Sequence, residues 1–263
     1  MTSAGYHPRP VHALLYPIGY PLVVLLIFLG LPVQALLLAV TAPFDPNRRV
    51  AGRFLRFVGC GIAACFPPWR LKVRGAWPAG GPFVVVANHQ SILDILLLSH
   101  MPREMKWVAK KSLFDIPWVG TMLRMSGDIP VLRGDAESGG EALKKARAYL
   151  DRGMNVMIFP EGTRSKTAQL LPFKSGAFRL AIEAGVPVLP VPVFGTARGM
   201  PKGGPWVNPC RAVARILEPV PTAGLTPDDT VKLRDEVRGR IAAVLPELER
   251  ETQGGGGVPV TAS

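Results

Sequence analysis

Side chains able to hold a metal or carry redox chemistry are scarce in this sequence, with three cysteines and four histidines among 263 residues. Cys60, Cys65 and Cys210 match no metal or redox spacing, there is no Cys-x-x-Cys or His-Glu-x-x-His, and His7 and His12 fall in the N-terminal segment. Metal catalysis therefore has little support, and the thiols are expected to be reduced in a cytosolic compartment. No Gly-x-Ser-x-Gly elbow occurs and no cysteine stands beside a histidine, which argues against a serine or thiol acyl-enzyme. Acidic residues are also few, 19 against 31 Lys and Arg, giving a formal charge of +12 and a pI near 10.1. That balance calls for an anionic partner: nucleic acid, a membrane surface or a phosphorylated substrate.

One absence is local. From Pro10 to Phe44 there is no Asp, Glu, Lys or Arg. About 20 apolar residues cross a bilayer, so the run is long enough for one crossing. Pro17, Pro21 and Pro32 interrupt it, and Pro32 after Gly30 could divide it into two shorter helices dipping into one leaflet. A lone Arg9 and the lack of a small-x-small cleavage site make a signal peptide a poorer reading. Arg48, Arg49, Arg53 and Arg56 follow, a cluster expected to stay cytoplasmic against anionic lipid headgroups. The amphipathic stretch from Phe54 to Trp69 would continue along the interface.

The rest of the chain alternates short apolar runs with helical patterns. Strands are expected over 71–75, 105–110, 129–133, 155–159 and 211–217, with a Pro-broken strand over 186–193; helices are expected over 141–152, 174–184 and from 226 towards 250, broken at Pro246. The fold class that follows is α/β, a mostly parallel sheet flanked by helices, with an N-terminal membrane-anchoring helical segment. Three units are expected: an anchor and basic interfacial segment over 1–70, the α/β domain over 71–252, and a disordered tail over 253–263.

Two clusters carry chemistry. Phe83 to Ala87 reads as a buried strand that delivers Asn88-His89-Gln90-Ser91 to a turn before the helix Ile92 to Leu98. With Ser91 as N-cap, Asp94 falls at the third helical position, close to His89. A neutral imidazole can take a proton from a hydroxyl while a carboxylate fixes its tautomer. Equally, Asp94 can be a capping acid and His89 an ordinary loop histidine. The second cluster, Phe159-Pro160-Glu161-Gly162-Thr163-Arg164-Ser165, also ends a buried strand. Ligands of parallel sheets gather at the carboxyl ends of the strands, so both clusters, with Arg133 and Lys110 at other strand ends, can share one crevice. Arginine forks at such an edge suit phosphate.

Asn88-His89-Gln90-Ser91-Ile92-Leu93-Asp94, Arg133 after an apolar strand, Phe159 to Arg164, and Val186-Pro187-Val188-Leu189-Pro190-Val191 occur in the order of the four blocks of the glycerolipid acyltransferases. From about Val73 to Phe194 the sequence resembles that family, most closely the 1-acylglycerol-3-phosphate (lysophosphatidate) acyltransferases. The resemblance implies His89 as general base and Asp94 as its orienting acid. It further implies Lys110, Arg133, Glu161, Gly162, Thr163 and Arg164 as the glycerol-phosphate contacts, and the Val-Pro block as the acyl side of the site. The sequence departs from the family at Ser112, where relatives often have Glu, and near Arg133, where an aromatic is common.

The implied reaction is direct acyl transfer from an acyl thioester, acyl-CoA or acyl carrier protein, to the sn-2 hydroxyl of 1-acylglycerol-3-phosphate, with no metal and no further cofactor. Anionic membrane lipids are expected partners, and the domain is expected at the membrane, facing the cytoplasm. Nucleic acid is not an expected partner, since the basic residues lack interleaved aromatics. Two other readings stay open: an acyltransferase for another lyso-lipid or an amine-containing acceptor, and a non-enzymatic lipid-binding protein.

Overall fold

A computed structural model describes residues 15–165, 169–201 and 207–253; of the tail expected at 253–263, Gln253 is helical and the rest lies outside the described residues. Helix α1 runs over Leu15–Thr41 and is followed by α2 at Arg49–Ala64. Then come β1 (Trp69–Arg74), β2 (Val84–Val86), α3 (Leu93–Leu98), β3 (Met105–Lys110), α4 (Lys111–Phe114), α5 (Val119–Ser126), β4 (Ile129–Val131), α6 (Ala136–Leu150) and β5 (Asn155–Ile158). The chain ends with α7 (Gly176–Ala184), β6 (Val188–Pro190), β7 (Val193–Phe194), α8 (Thr196–Gly199), β8 (Cys210–Arg215) and α9 (Thr230–Gln253).

Five strands form one sheet in the order β4-β3-β5-β2-β6, every pairing parallel. The β2 triplet Val84-Val85-Val86 is buried on both faces, which explains its unbroken apolar run. One face packs on Phe178, Ala181, Val237 and Ile241 from α7 and α9, and the other on Leu97, Leu98 and Trp107. The expected α/β architecture is thus present, accompanied by a second sheet of three strands, β1-β8-β7, that was not expected. The run 186–193 does not form one strand. Pro190 and Pro192 lack the N–H that a continuing ladder needs, so β6 joins the main sheet and β7 pairs antiparallel with β8.

Three further expectations are corrected. The helix expected from 141 begins earlier, at Ala136, because the Asp135 side chain accepts from the Ser138 N–H at 2.7 Å and the Ser138 hydroxyl accepts from the Leu132 N–H at 2.9 Å. That cap offsets Gly139 and Gly140, each costing about 1 kcal/mol in a helix. Pro246 does not break α9, which runs on to Gln253. Nor do Pro21 and Pro32 divide α1, a continuous helix of 27 residues.

Packing explains the continuity of α1. Gly19 sits against the Phe66 ring and Gly30 against Val58 and Met122, so one flank lies on α2 and α5. Gln34, fully buried in an otherwise apolar helix, donates to the carbonyls of Ala51 and Met122 at 3.0 and 3.1 Å. The opposite flank leaves Ile18, Leu22, Leu25, Phe28, Leu29 and Leu36 exposed. Helix α1 is long and apolar enough to cross a membrane.

Beneath α2 lies a buried ionic cluster. Arg56 donates from Nη2 to Asp128 Oδ2 at 2.5 Å, and Asp128 Oδ1 accepts from the Trp107 N–H at 3.0 Å. Lys106, with no exposure, donates to the carbonyls of Arg48 and Ser126 at 3.0 and 2.7 Å. Burial pushes the Lys106 ammonium down and the Glu104 carboxyl up from their ordinary values.

Candidate active site

The strand order decides which loops meet. At the carboxyl edge β2 delivers His89, its neighbour β5 delivers Glu161 to Arg164, and β3 and β4 beyond it end at Lys110 and just before Arg133. Val131 pairs with Lys110, so these two strand ends lie side by side. Residues up to 75 positions apart in sequence thus stand along one rim.

His89 and Asp94 are in contact. His89 Nδ1 lies 2.7 Å from Asp94 Oδ2, and both side chains are buried. The same oxygen accepts the N–H groups of Gln90 at 2.7 Å and Ser91 at 2.9 Å. Asp94 is therefore both the turn's cap and the partner of the imidazole, and the two readings of its role coincide. Ser91 is not the N-cap: α3 begins at Leu93, and the Ser91 hydroxyl accepts from the Leu93 N–H while donating to the Met200 carbonyl. An anion with this many donors holds the Nδ1–H tautomer, leaving Nε2 as the basic atom.

The second loop grips the first. The His89 N–H donates to Glu161 Oε1 at 2.9 Å, and the His89 carbonyl accepts from the Ser165 N–H at 2.8 Å. The His89 ring stacks on Phe159 with centroids 4.1 Å apart. Glu161 is thus turned onto the backbone of the histidine loop, and burial pushes its carboxyl up to about 7. Gly162 has a φ of 68°, and a Cβ there would meet Lys174, which brings a further cation to this loop. Thr163 and the partly buried Arg164 continue it. Burial, and then the charge of nearby Arg164, push the Arg133 guanidinium down, so the two cations crowd one region. Two guanidinium groups drawn together at a strand-end rim suit a dianionic phosphate. Among the described residues no group of three or more His, Cys, Asp and Glu gathers to hold a metal ion.

Residues 70–193 match the Acyltransferase family. A human 1-acyl-sn-glycerol-3-phosphate acyltransferase alpha is 37% identical over 194 residues, 71% of this chain and 68% of that one. The chain belongs to the 1-acyl-sn-glycerol-3-phosphate acyltransferase family. A chloroplastic member from Brassica napus is 36% identical over 202 residues, 76% of this chain but 57% of the plant protein's length. The crystal structure of the Thermotoga maritima 1-acyl-sn-glycerophosphate acyltransferase PlsC superposes with a TM-score of 0.77 at 28% identity, covering 91% of this chain and 96% of that one.

Within this acyltransferase site, sequence reasoning missed the residues that fasten the histidine turn from the other side. Asn88 pairs with both backbone groups of Val193, at 2.9 and 2.8 Å, and Gln90 Oε1 accepts the Gly195 N–H at 3.1 Å. The fully buried Thr196 donates its hydroxyl to Asp94 Oδ1 in a short hydrogen bond. Thr196 lies just past the fourth block, in no motif, and only the β7 turn shows its partner. Thr196→Val should lower kcat about tenfold with little change in KM, since it leaves a buried carboxylate oxygen without a donor, worth about 1–3 kcal/mol. Steady-state kinetics would check this, with Thr196→Ser restoring the rate; an unchanged kcat in the valine variant removes Thr196 from this role.

Proposed function

We propose that the protein transfers an acyl group from an acyl thioester to the sn-2 hydroxyl of 1-acylglycerol-3-phosphate, giving phosphatidate. The observation that carries this reading is the His89–Asp94 pair, with the His89 backbone N–H bound by the Glu161 carboxylate of the second loop. His89 Nε2 takes the acceptor hydroxyl proton as the oxygen attacks the thioester carbonyl, and Asp94 stabilises the imidazolium. Collapse of the tetrahedral intermediate breaks the C–S bond, and the leaving thiolate takes the proton back from Nε2. A thioester is already activated, so no acyl-enzyme is required. Arg133 and Arg164, with Lys110 and Thr163 on the same rim, bind the acceptor phosphate; Gly162 lets it approach the backbone, and Glu161 fixes the His89 loop.

The acyl side has room as well. An apolar cavity of about 300 Å³ lies between the N-terminal helices and the domain, lined by Phe66, Trp69, Ile92, Ile95, Leu96 and Met122. Its Ile92–Leu96 wall is the helical turn that follows His89, which supports an acyl chain lying there. The exposed stripe of α1 seats the protein in a membrane, with Arg48, Arg49 and Arg53 favouring a cytoplasmic domain. Both acyl-CoA and acyl carrier protein fit this chemistry as donor.

Arg164→Ala should raise the apparent KM for the phosphorylated acceptor about tenfold or more while leaving that for the thioester nearly unchanged, as expected for loss of a charge-assisted phosphate contact. Kinetics with each substrate varied in turn would show it; an acceptor dependence equal to that of the parent protein removes Arg164 from the site.

A further inference from the structure

One charged feature is not used by the transfer reaction. Along edge strand β4, between α4, α5 and α6, runs a cleft of about 690 Å³ lined in part by Arg48, Arg124, Lys145, Arg152 and Tyr149. Among the described residues none of these four cations forms an ion pair. The acids at the cleft are already engaged: Asp115 with Lys111 at 3.6 Å, and Asp128 with Arg56 and the Trp107 N–H. Two of the cations, Arg48 and Arg152, are held in place. Arg48 adopts φ 52°, a left-handed conformation costly for a side chain of its size, and is fixed at both ends. Its Nη1 donates to the Arg124 carbonyl at 2.7 Å, and its own carbonyl accepts from buried Lys106. Arg152 lies over the Tyr149 ring at 4.8 Å.

Exposed apolar residues stand close in sequence to those that line the cleft. Phe44 stands two residues before the cleft-lining Pro46 and is 71% exposed; Ile116 and Trp118, following Phe114 and Asp115, are 44% and 48% exposed. The Trp118 ring sits edge-on to Phe28 on the exposed flank of α1, at 5.9 Å. Exposed cations lining a cleft, with exposed apolar residues close by in sequence and one of these against α1, match the two halves of a phospholipid, phosphate and acyl region. A soluble phosphate would use the cations and leave these apolar residues without a role.

We propose that this cleft is a second phosphate-binding site, beside the acceptor rim, that takes the headgroup phosphate of an anionic membrane lipid. It rests on the reading that α1 seats the protein in a membrane, and not on the acyl-transfer chemistry. The full-length protein would be tested by co-sedimentation with vesicles of phosphatidylcholine alone and of phosphatidylcholine with phosphatidylglycerol, which is neither acceptor nor product. Arg124→Glu combined with Arg152→Glu would be compared with Lys232→Glu combined with Arg250→Glu on α9, which changes net charge equally outside the cleft.

The expected result is that phosphatidylglycerol strengthens binding of the parent protein, that the cleft variant loses about tenfold or more of that gain, and that the α9 variant keeps most of it. Acceptor KM in detergent micelles should be unchanged in the cleft variant. Equal losses in both variants, or no gain from phosphatidylglycerol, overturn the site while leaving membrane seating intact. Failure of the parent protein to bind either vesicle overturns the seating and the site with it. A raised acceptor KM in the cleft variant makes the cleft part of the acceptor path and overturns a second site. Binding of inorganic phosphate that the cleft variant loses, with no effect of that phosphate on vesicle binding, keeps a phosphate site but overturns the lipid as its occupant.

Discussion

His89→Ala should reduce acyl transfer from a thioester to lysophosphatidate by about 10²- to 10⁴-fold, the range supplied by a positioned general base. The loss should appear in kcat, since the proposed phosphate contacts, Arg133 and Arg164, lie on other strand ends of the same rim. Initial rates of thioester consumption would check this, with a thermal melt to show that the variant is folded. His89→Gln, closer in volume and still able to pack on Phe159, should be nearly as inactive, because an amide cannot accept the proton. Turnover within tenfold of the parent protein in either variant would falsify the assignment of His89 as the base.

The largest stability effect is expected at Asp128. Asp128→Ala removes the close partner of a buried guanidinium and leaves the Trp107 N–H without its acceptor, since both are bound by one carboxylate. Breaking a buried ion pair by removing one member costs about 3–5 kcal/mol. Glu104 is a poor substitute, its Oε2 standing 3.9 Å from Arg56 Nε. Arg56→Met combined with Asp128→Leu should recover much of that loss, because no charge is left stranded. The single variant should also be slower. Arg56 lies 4.7 Å over the Trp107 ring, Trp107 meets Phe159 edge-on at 6.3 Å, and Phe159 stacks on the His89 imidazole. Chemical denaturation of the two variants would measure the difference; a single variant within about 1 kcal/mol of the parent would show that Arg56 finds another partner or water.

What could be read from sequence followed from local pattern. The buried strands and the turn carrying His89 are written in consecutive residues, and so are the loop at Glu161 to Arg164 and its likeness to a known family. Long-range closure was not legible. Nothing near Thr196 signals that its hydroxyl meets Asp94, and the split of 186–193 between two sheets depends on where β8 lies. Glu161 was grouped with the phosphate contacts, whereas its carboxylate faces the His89 backbone; a motif names residue types but does not say which way each one points. The first turn of α6 was hidden because two glycines obscured a capping signal three residues long. The buried Arg56–Asp128 pair joins segments 72 residues apart, and no local pattern shows it.

The way α1 is fastened bears on efforts to make a water-soluble version by trimming the N-terminus. Cutting before residue 45 would strip the cover from Val58, Met122 and Phe66 and leave the carbonyls of Ala51 and Met122 without the Gln34 amide. The shortened chain would exchange one greasy surface for another and open the hydrocarbon-lined chamber to water. Precipitation, rather than a free-standing catalyst, is the outcome to plan for, and repainting the outward flank of the helix with polar residues is the better route.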